Sequence, residues 1–308
     1  MLSPTDFLTE LYVLIDEWDK TRPLAPLRPG PRPELARSEV LTLALFSQWS
    51  GFRSERQFWR YASCHLRPLF PQLPSRVQFL RAVHRIAPVL AHLAVHLGQA
   101  LVPTECPFEI LDATGIETRD ARRRGIGWLP GIAAKGKCTR EGWYVGLRLL
   151  VCVTPEGAIT GFGIGSGNTN ERKLAETFFA QRAATSSDLP SIGHPVTSWY
   201  LTDGGFTGLR WERHWLVDYG AMVICPPERT HRRAWAWEDR RWFAGKRQIV
   251  ETTTEKLLSM FRMATDRWHT LTGALAWTAA KIAACNAAMV LNRHHGRPLL
   301  AFADLIDW

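Results

Sequence analysis

The 308-residue sequence is poor in several features, and each shortage narrows its class. It has six cysteines, at 64, 106, 138, 152, 225 and 285, and no two stand at CxxC spacing. That disfavours a zinc ribbon or a thioredoxin-like redox site. They are scattered through apolar stretches such as LLVCV and AMVIC, the pattern of reduced, buried thiols in a cytosolic protein. No window carries the roughly 18 consecutive apolar residues of a membrane span. The first residues include Asp6, Glu10, Asp16 and Glu17, where a signal peptide wants a basic start and an unbroken apolar run. Tandem repeats and low-complexity tracts are absent. Acids are the scarcer charge, 29 against 38 Lys and Arg, for a net +9. A surplus of that sign suits a polyanionic partner, nucleic acid or an acidic membrane surface. What is plentiful is apolar material, 46% of residues with 14 Trp, enough for a large core and too much for a disordered tail.

The pattern changes once along the chain. Residues 1–103 read as an all-helical module. An amphipathic stretch covers 4–19, followed by a proline-rich linker from Pro23 to Pro33, which must be extended. Ser38 is expected to cap EVLTLALFSQWSG, Ser54 to open a helix through Tyr61, and Ser75 to cap a long segment to about Leu101, bent at Pro88. Residues 104–308 read differently. PFEILD (107–112) is a short strand ending on an acid. GWYVGLRLLVCV (142–153) and GAITGFGIGSG (157–167) are strands joined by a Thr154–Gly157 turn. A helix over 170–183, a strand over 196–203, a helix over 207–219 and a strand over 221–225 follow. Helices over 246–264 and 270–293 close the chain. This order predicts an α/β fold: a mixed five-stranded sheet flanked by helices, the order of the ribonuclease-H-like fold.

In such a sheet Asp112 and Asp203 end neighbouring central strands, so both face one crevice at the strand ends. Adjacent carboxylates repel unless a cation neutralises them. Oxygen donors without Cys or His suit Mg²⁺ or Mn²⁺, and two such ions can drive phosphoryl transfer. A third carboxylate is expected from RQIVETTTEKLL, where Glu251 and Glu255 lie one turn apart on one helix face and spacing does not choose between them. Taken alone, each strand-end Asp is equally a turn-former.

These segments resemble bacterial insertion-sequence transposases of the DDE superfamily, which have a ribonuclease-H-like catalytic core. LDATGIETRD is similar to the family's first-aspartate segment and YLTDGGFTG to its second. KRQIVETTTEKLLSMFRM is similar to its glutamate helix, and SEVLTLALFSQWSGFRSERQFWRYA to its capped helix pair. The resemblance puts the third acid on Glu251, with Arg247 as the preceding basic residue and Glu255 as runner-up. It also makes Glu171 a weaker candidate near the site. It implies two Mg²⁺ or Mn²⁺ ions held by Asp112, Asp203 and Glu251. The implied activity is cutting of element ends and joining of the 3′-hydroxyl to target DNA. A homodimer on DNA, in the cytoplasm of a prokaryote and associated with its nucleoid, follows from the same resemblance. Residues 1–103 would then bind terminal inverted repeats and assist assembly. The sequence departs from the family pattern in four places. Gly204 stands for a lysine, Phe206 for a tyrosine, Gly115 for a proline and Leu258 for a lysine, with Lys256 nearby.

Basic runs flank the expected crevice. The insert 119–140 carries Arg119, Arg122, Arg123, Arg124, Lys135 and Lys137. A second run carries Arg232, Arg233, Arg240, Arg241, Lys246 and Arg247. Both suit phosphate contacts. Trp235, Trp237 and Trp242 interleave with the second run and are candidates for stacking on an unpaired base, or for the core. His92 and His96 have HxxxH spacing without the HExxH glutamate, and His294-His295 follows a helix, so both pairs read as structural or surface residues. Two other readings stay open: a transposase-derived DNA-binding protein without strand transfer, and a metal-dependent nuclease of the same fold.

Overall fold

The computed structural model describes residues 1–22, 33–49, 51–122, 127–138, 140, 142–184, 191–227 and 235–308. Among the described residues five α-helices lead, α1 (Pro4–Lys20), α2 (Arg37–Phe46), α3 (Glu55–Tyr61), α4 (Arg76–Arg85) and α5 (Ala87–Ala100), with a π-helical turn over Ala62–Leu66 after α3. Their caps are local. Ser54 Oγ accepts the Gln57 amide at 3.2 Å, and Ser75 Oγ accepts that of Gln78 at 3.3 Å. Gln78 Oε1 in turn accepts the Ser75 amide at 2.9 Å, closing a reciprocal box. The expected cap at Ser38 is displaced. Helix α2 begins at Arg37 with Ala36 as N-cap, the Ala36 amide donates to Glu39 Oε2 at 2.6 Å, and Ser38 is buried inside the helix. Pro88 does not bend one long helix; it starts a new one after a break at Ile86. The proline linker lies almost wholly outside the described residues.

The remaining elements are β1 (Glu109–Asp120), β2 (Ala134–Cys138), β3 (Gly142–Val153), β4 (Ile159–Ser166), α6 (Glu171–Ala183), β5 (Trp199–Leu201), α7 (Leu209–Tyr219), β6 (Met222–Ile224), α8 (Trp237–Ser259) and α9 (Leu271–His294). β3 lies between β1 and β4, antiparallel to both, and β1, β5 and β6 run parallel. This is the ribonuclease-H-like arrangement: an antiparallel meander continued by helix-linked parallel strands. Gly157, at φ +90°, makes the β3–β4 turn, a conformation that side-chain-bearing residues avoid. A sixth strand was not expected. β2, inside the basic insert, pairs with the first half of β3, at Lys137 opposite Trp143 and Ala134 opposite Gly146.

Both faces of the sheet are covered, which explains its nearly continuous apolar strands. Ile110, Leu149, Val151 and Val153 face the core built with α5 and α9. Their sequence neighbours Leu111, Leu150 and Cys152 face α6 and α7, among Phe178, Phe179 and Trp215. α9 is long and apolar enough to cross a membrane by length and composition, yet it is buried among α5, α2 and β4. Its Asn286 accepts the Ile159 amide at 3.1 Å and donates to Ala94 O and Ile159 O. Its fully buried Lys281 donates to Gln48 Oε1 at 2.9 Å, Phe261 O at 2.6 Å and Asp266 Oδ2 at 2.6 Å. Burial pushes that ammonium down to about 8 against the pull of Asp266.

At the start of β1 lies a second buried ionic group. Glu109 is fully buried, pairs with Arg182 of α6 and accepts the Thr160 hydroxyl. Arg182 also donates to Tyr200 Oη at 3.2 Å, Thr160 Oγ1 at 3.1 Å and Ile192 O at 3.3 Å. One side chain thus ties β1, β4, α6 and β5 together.

Candidate active site

β1 outruns its parallel neighbour. It pairs with β5 only at Glu109–Tyr200 and Ile110–Leu201, and β5 then stops. Asp112 is therefore not at a strand end, as expected, but at the fourth residue of a strand that continues to Asp120. It still reaches the crevice, because among the described residues no strand pairs with that side of β1 beyond β5. Asp203 lies two residues past β5 and starts a tight turn, its Oδ1 accepting the Gly205 amide at 2.9 Å. Gly205 leaves room there: a Cβ would overlap Glu171 Oε2 and stand 3.0 Å from Asp203 Oδ1, so the Glu171 carboxylate would have to move aside. The missing side chain lets Glu171, at the first turn of α6, approach Asp203.

A cleft of about 790 Å³ opens over these groups, lined by Asp112, Glu171 and Asp203 on one side and by Glu251, Thr254, Glu255 and Leu258 of α8 on another. Glu251 and Glu255 are both exposed on that wall, so the structure does not separate them. Glu171, the weakest candidate from the sequence, sits closest to the Asp pair electrostatically. Burial, helped by Asp203 and Glu171, raises the Asp112 carboxyl to about 7 against the pull of Arg247. Glu171 is raised by burial and by Asp203, against Arg148 and Arg172. Arg247 Nη2 stands 3.6 Å from Asp112 Oδ1, and Arg148 Nη1 3.1 Å from Glu171 Oε1. Two guanidinium groups thus partly compensate a cluster that still repels itself.

Among the described residues, no three acid, imidazole or thiol side chains are spaced to enclose an ion as they stand. The donor chemistry nevertheless fits a hard divalent cation: among the described lining residues carboxylates outnumber the one thiol, Cys138, no imidazole is present, and the carboxylates repel one another in a way that a cation relieves. Arg247 Nε and Thr254 Oγ1, buried at the same wall, have no hydrogen-bond partner among the described residues.

The basic residues divide. Lys137 and Arg140 of the insert line the cleft, and Lys135 is exposed on the same strand as Lys137. Arg122 is exposed beyond β1, and Arg119 is half-buried at its end. Arg240, Arg241 and Lys246 are exposed on α8, whereas Arg247 is engaged by Asp112. Arg123, Arg124, Arg232 and Arg233 lie outside the described residues. Of the three tryptophans, Trp235 packs edge-on against Phe243. Trp242 meets Phe108 edge-on but stays half exposed, and Trp237 is exposed beside Arg241. Lys256 does not replace the cation missing at Leu258; its Nζ lies 5.3 Å from the Phe302 ring and it is not on the cleft wall. His92 is held by Arg22 at 2.5 Å, and His295 by Glu10 at 2.8 Å. Arg148 counts in the sequence as one of the bases of the 119–148 run beside the site; its pairing with Glu171 had no sequence signal.

Three comparisons bear on this geometry. The model of a family described as the transposase DDE domain matches residues 107–287, more than half of the chain. No curated protein matches. Among solved structures, the chain is similar to a piggyBac transposase in a synaptic complex with hairpin DNA, determined by cryo-EM. The identity is 11%, the TM-score 0.48, and the match covers 99% of this chain and 78% of that one.

Proposed function

Since the chain belongs to the transposase DDE domain family, we propose that it is the transposase of an insertion sequence, acting in a prokaryotic cytoplasm on nucleoid DNA. The observation that carries this reading is the gathering of Asp112, Asp203, Glu171, Glu251 and Glu255 around one cleft with Lys137 and Arg140 on its rim.

Asp112, Asp203 and Glu251 are the residues proposed to hold two Mg²⁺ or Mn²⁺ ions, with Glu255 as alternative and Glu171 supporting Asp203. Bound ions supply charge neutralisation at the scissile phosphate and activate the attacking oxygen. Arg247 draws Asp112 back toward its ionised form against burial, and a bound cation would complete that shift. Lys137, Arg140 and the exposed bases of α8 hold phosphates along the cleft, which fixes the strand for in-line attack. Water attacks phosphorus at the element end, and the 3′-oxygen leaves as a hydroxyl. That hydroxyl then attacks a target phosphate and displaces its 3′-oxygen. No protein nucleophile is required. Joining two ends calls for two active sites, hence a homodimer on DNA, with residues 1–103 contributing to repeat binding and assembly.

Asp112→Asn and Asp203→Asn should each lower Mg²⁺-dependent strand cutting at least about 10³-fold, while DNA affinity in EDTA stays within about twofold. Unchanged cutting by either variant removes the assignment. A non-catalytic DNA-binding protein is the second reading, favoured by Gly204 and Leu258 where the family pattern has lysines; it predicts binding without nicking. A plain nuclease would cut but yield no joined product from a pre-cut end.

A further inference from the structure

We propose that Trp143, flanked by Lys135 and Lys137, is a stacking platform for an unpaired base of the DNA entering the cleft. This inference rests on the reading of the cleft as a DNA site. Trp143 is 58% exposed, although the next residue, Tyr144, is fully buried. It faces out because β3 alternates, and β2 lies beside it with Lys137 directly opposite. The Lys135 and Lys137 ammonium groups lie over its ring, 4.9 and 5.7 Å from the centroid, so an incoming base would take the other face.

Three features distinguish this aromatic from a stray surface tryptophan. Two cations next to the ring fix its orientation and bring positive charge to whatever stacks on it. Lys137 also lines the cleft, so the platform is continuous with the acidic site. Its strand is anchored to that site: Arg148 Nη2 donates to Lys137 O at 2.9 Å while Nη1 pairs with Glu171. A polyanion with exposed π-faces satisfies all three. Duplex DNA offers the phosphates but hides its base faces, whereas a single-stranded end or a flipped base offers both.

The alternative is that the trio only stabilises the β2–β3 ribbon, as cross-strand pairs do. Affinity separates the two. The full chain in EDTA is titrated by anisotropy against a short blunt duplex and against the same duplex carrying a single-stranded 3′ overhang with 2-aminopurine. The wild type should prefer the overhang and quench its fluorescence. Trp143→Ala should lose at least about fivefold of that preference, with blunt-duplex affinity nearly unchanged. Trp143→Leu should behave like Ala and Trp143→Phe should retain most of the preference, so the π-face is tested in a chain that keeps the apolar volume. The proposal is overturned if the wild type binds both probes equally, if Trp143→Ala keeps the preference, or if Leu performs as well as Phe. A wild type that binds neither probe overturns the DNA reading of the cleft itself, and the platform falls with it.

Discussion

The first two of the four carboxylates on strand β1 stand three residues apart, and their surroundings are opposite. Glu109 is buried and meets Arg182 and Thr160, and among the described residues no other carboxylate joins that network. Asp112 has one guanidinium at 3.6 Å, with Asp203 and Glu171 pressing on it. The first is a solved electrostatic problem and acts as a rivet. The second is unsolved, and an unsolved cluster in a cleft is where chemistry is expected. Glu109 is also the more buried of the two, and the sign of the neighbours widens the contrast.

The largest effect expected from this contrast is at the rivet. Glu109→Ala leaves Arg182 buried without its partner and should cost about 3–5 kcal/mol in urea unfolding. A loss under about 1 kcal/mol would show that the pair is not a rivet. Replacing both partners, Glu109→Leu with Arg182→Met, should recover most of that loss, since two apolar groups leave no orphan charge.

At the other carboxylate the sign reverses. The folded state raises Asp112 to about 7 from a usual value near 3.8. Its protonated form is therefore favoured in the fold. The contribution is fully present below about pH 4 and is lost as pH rises through 7. Asp112→Asn should then raise Tm at pH 8 by about 2–4 °C, the shift that ~1 kcal/mol gives a large domain, and do nothing below pH 4. Millimolar Mg²⁺ should raise the wild-type Tm and not that of the variant. A lower Tm for Asp112→Asn at pH 8 would break the comparison. The smallest effect concerns the rim. Lys137→Gln should reduce the salt slope of DNA binding by about one unit, and Lys20→Gln, paired with Asp16 on α1, should leave it alone.

Much of the frame was readable in the residues. The strand order and the convergence of Asp112 with Asp203 follow from apolar runs and the acids that follow them. The exceptions have causes. β2 was hidden because AKGKC has no apolar alternation; β3 supplies all its pairing. Asp112 read as a strand end because ATGIETRD lacks the density of a core strand, yet β3 pairs with it as far as Asp120. The Glu109–Arg182 pair was illegible since each partner is a lone charge inside an apolar stretch, and only the folded chain brings them together. Trp143 was passed over because GWYVG reads as a plain strand, which says nothing about which aromatic faces water.

Helix α9 carries a consequence for anyone who would divide this chain. It is the keel on which α5 from the first third and β4 from the second are both laid, and Gln48 supplies one of the oxygens around the Lys281 ammonium. A fragment beginning at residue 104 would expose a long greasy flank and strand a cation beside it. Such a piece would stick to itself or to lipid, and its behaviour would say little about the enzyme from which it was cut.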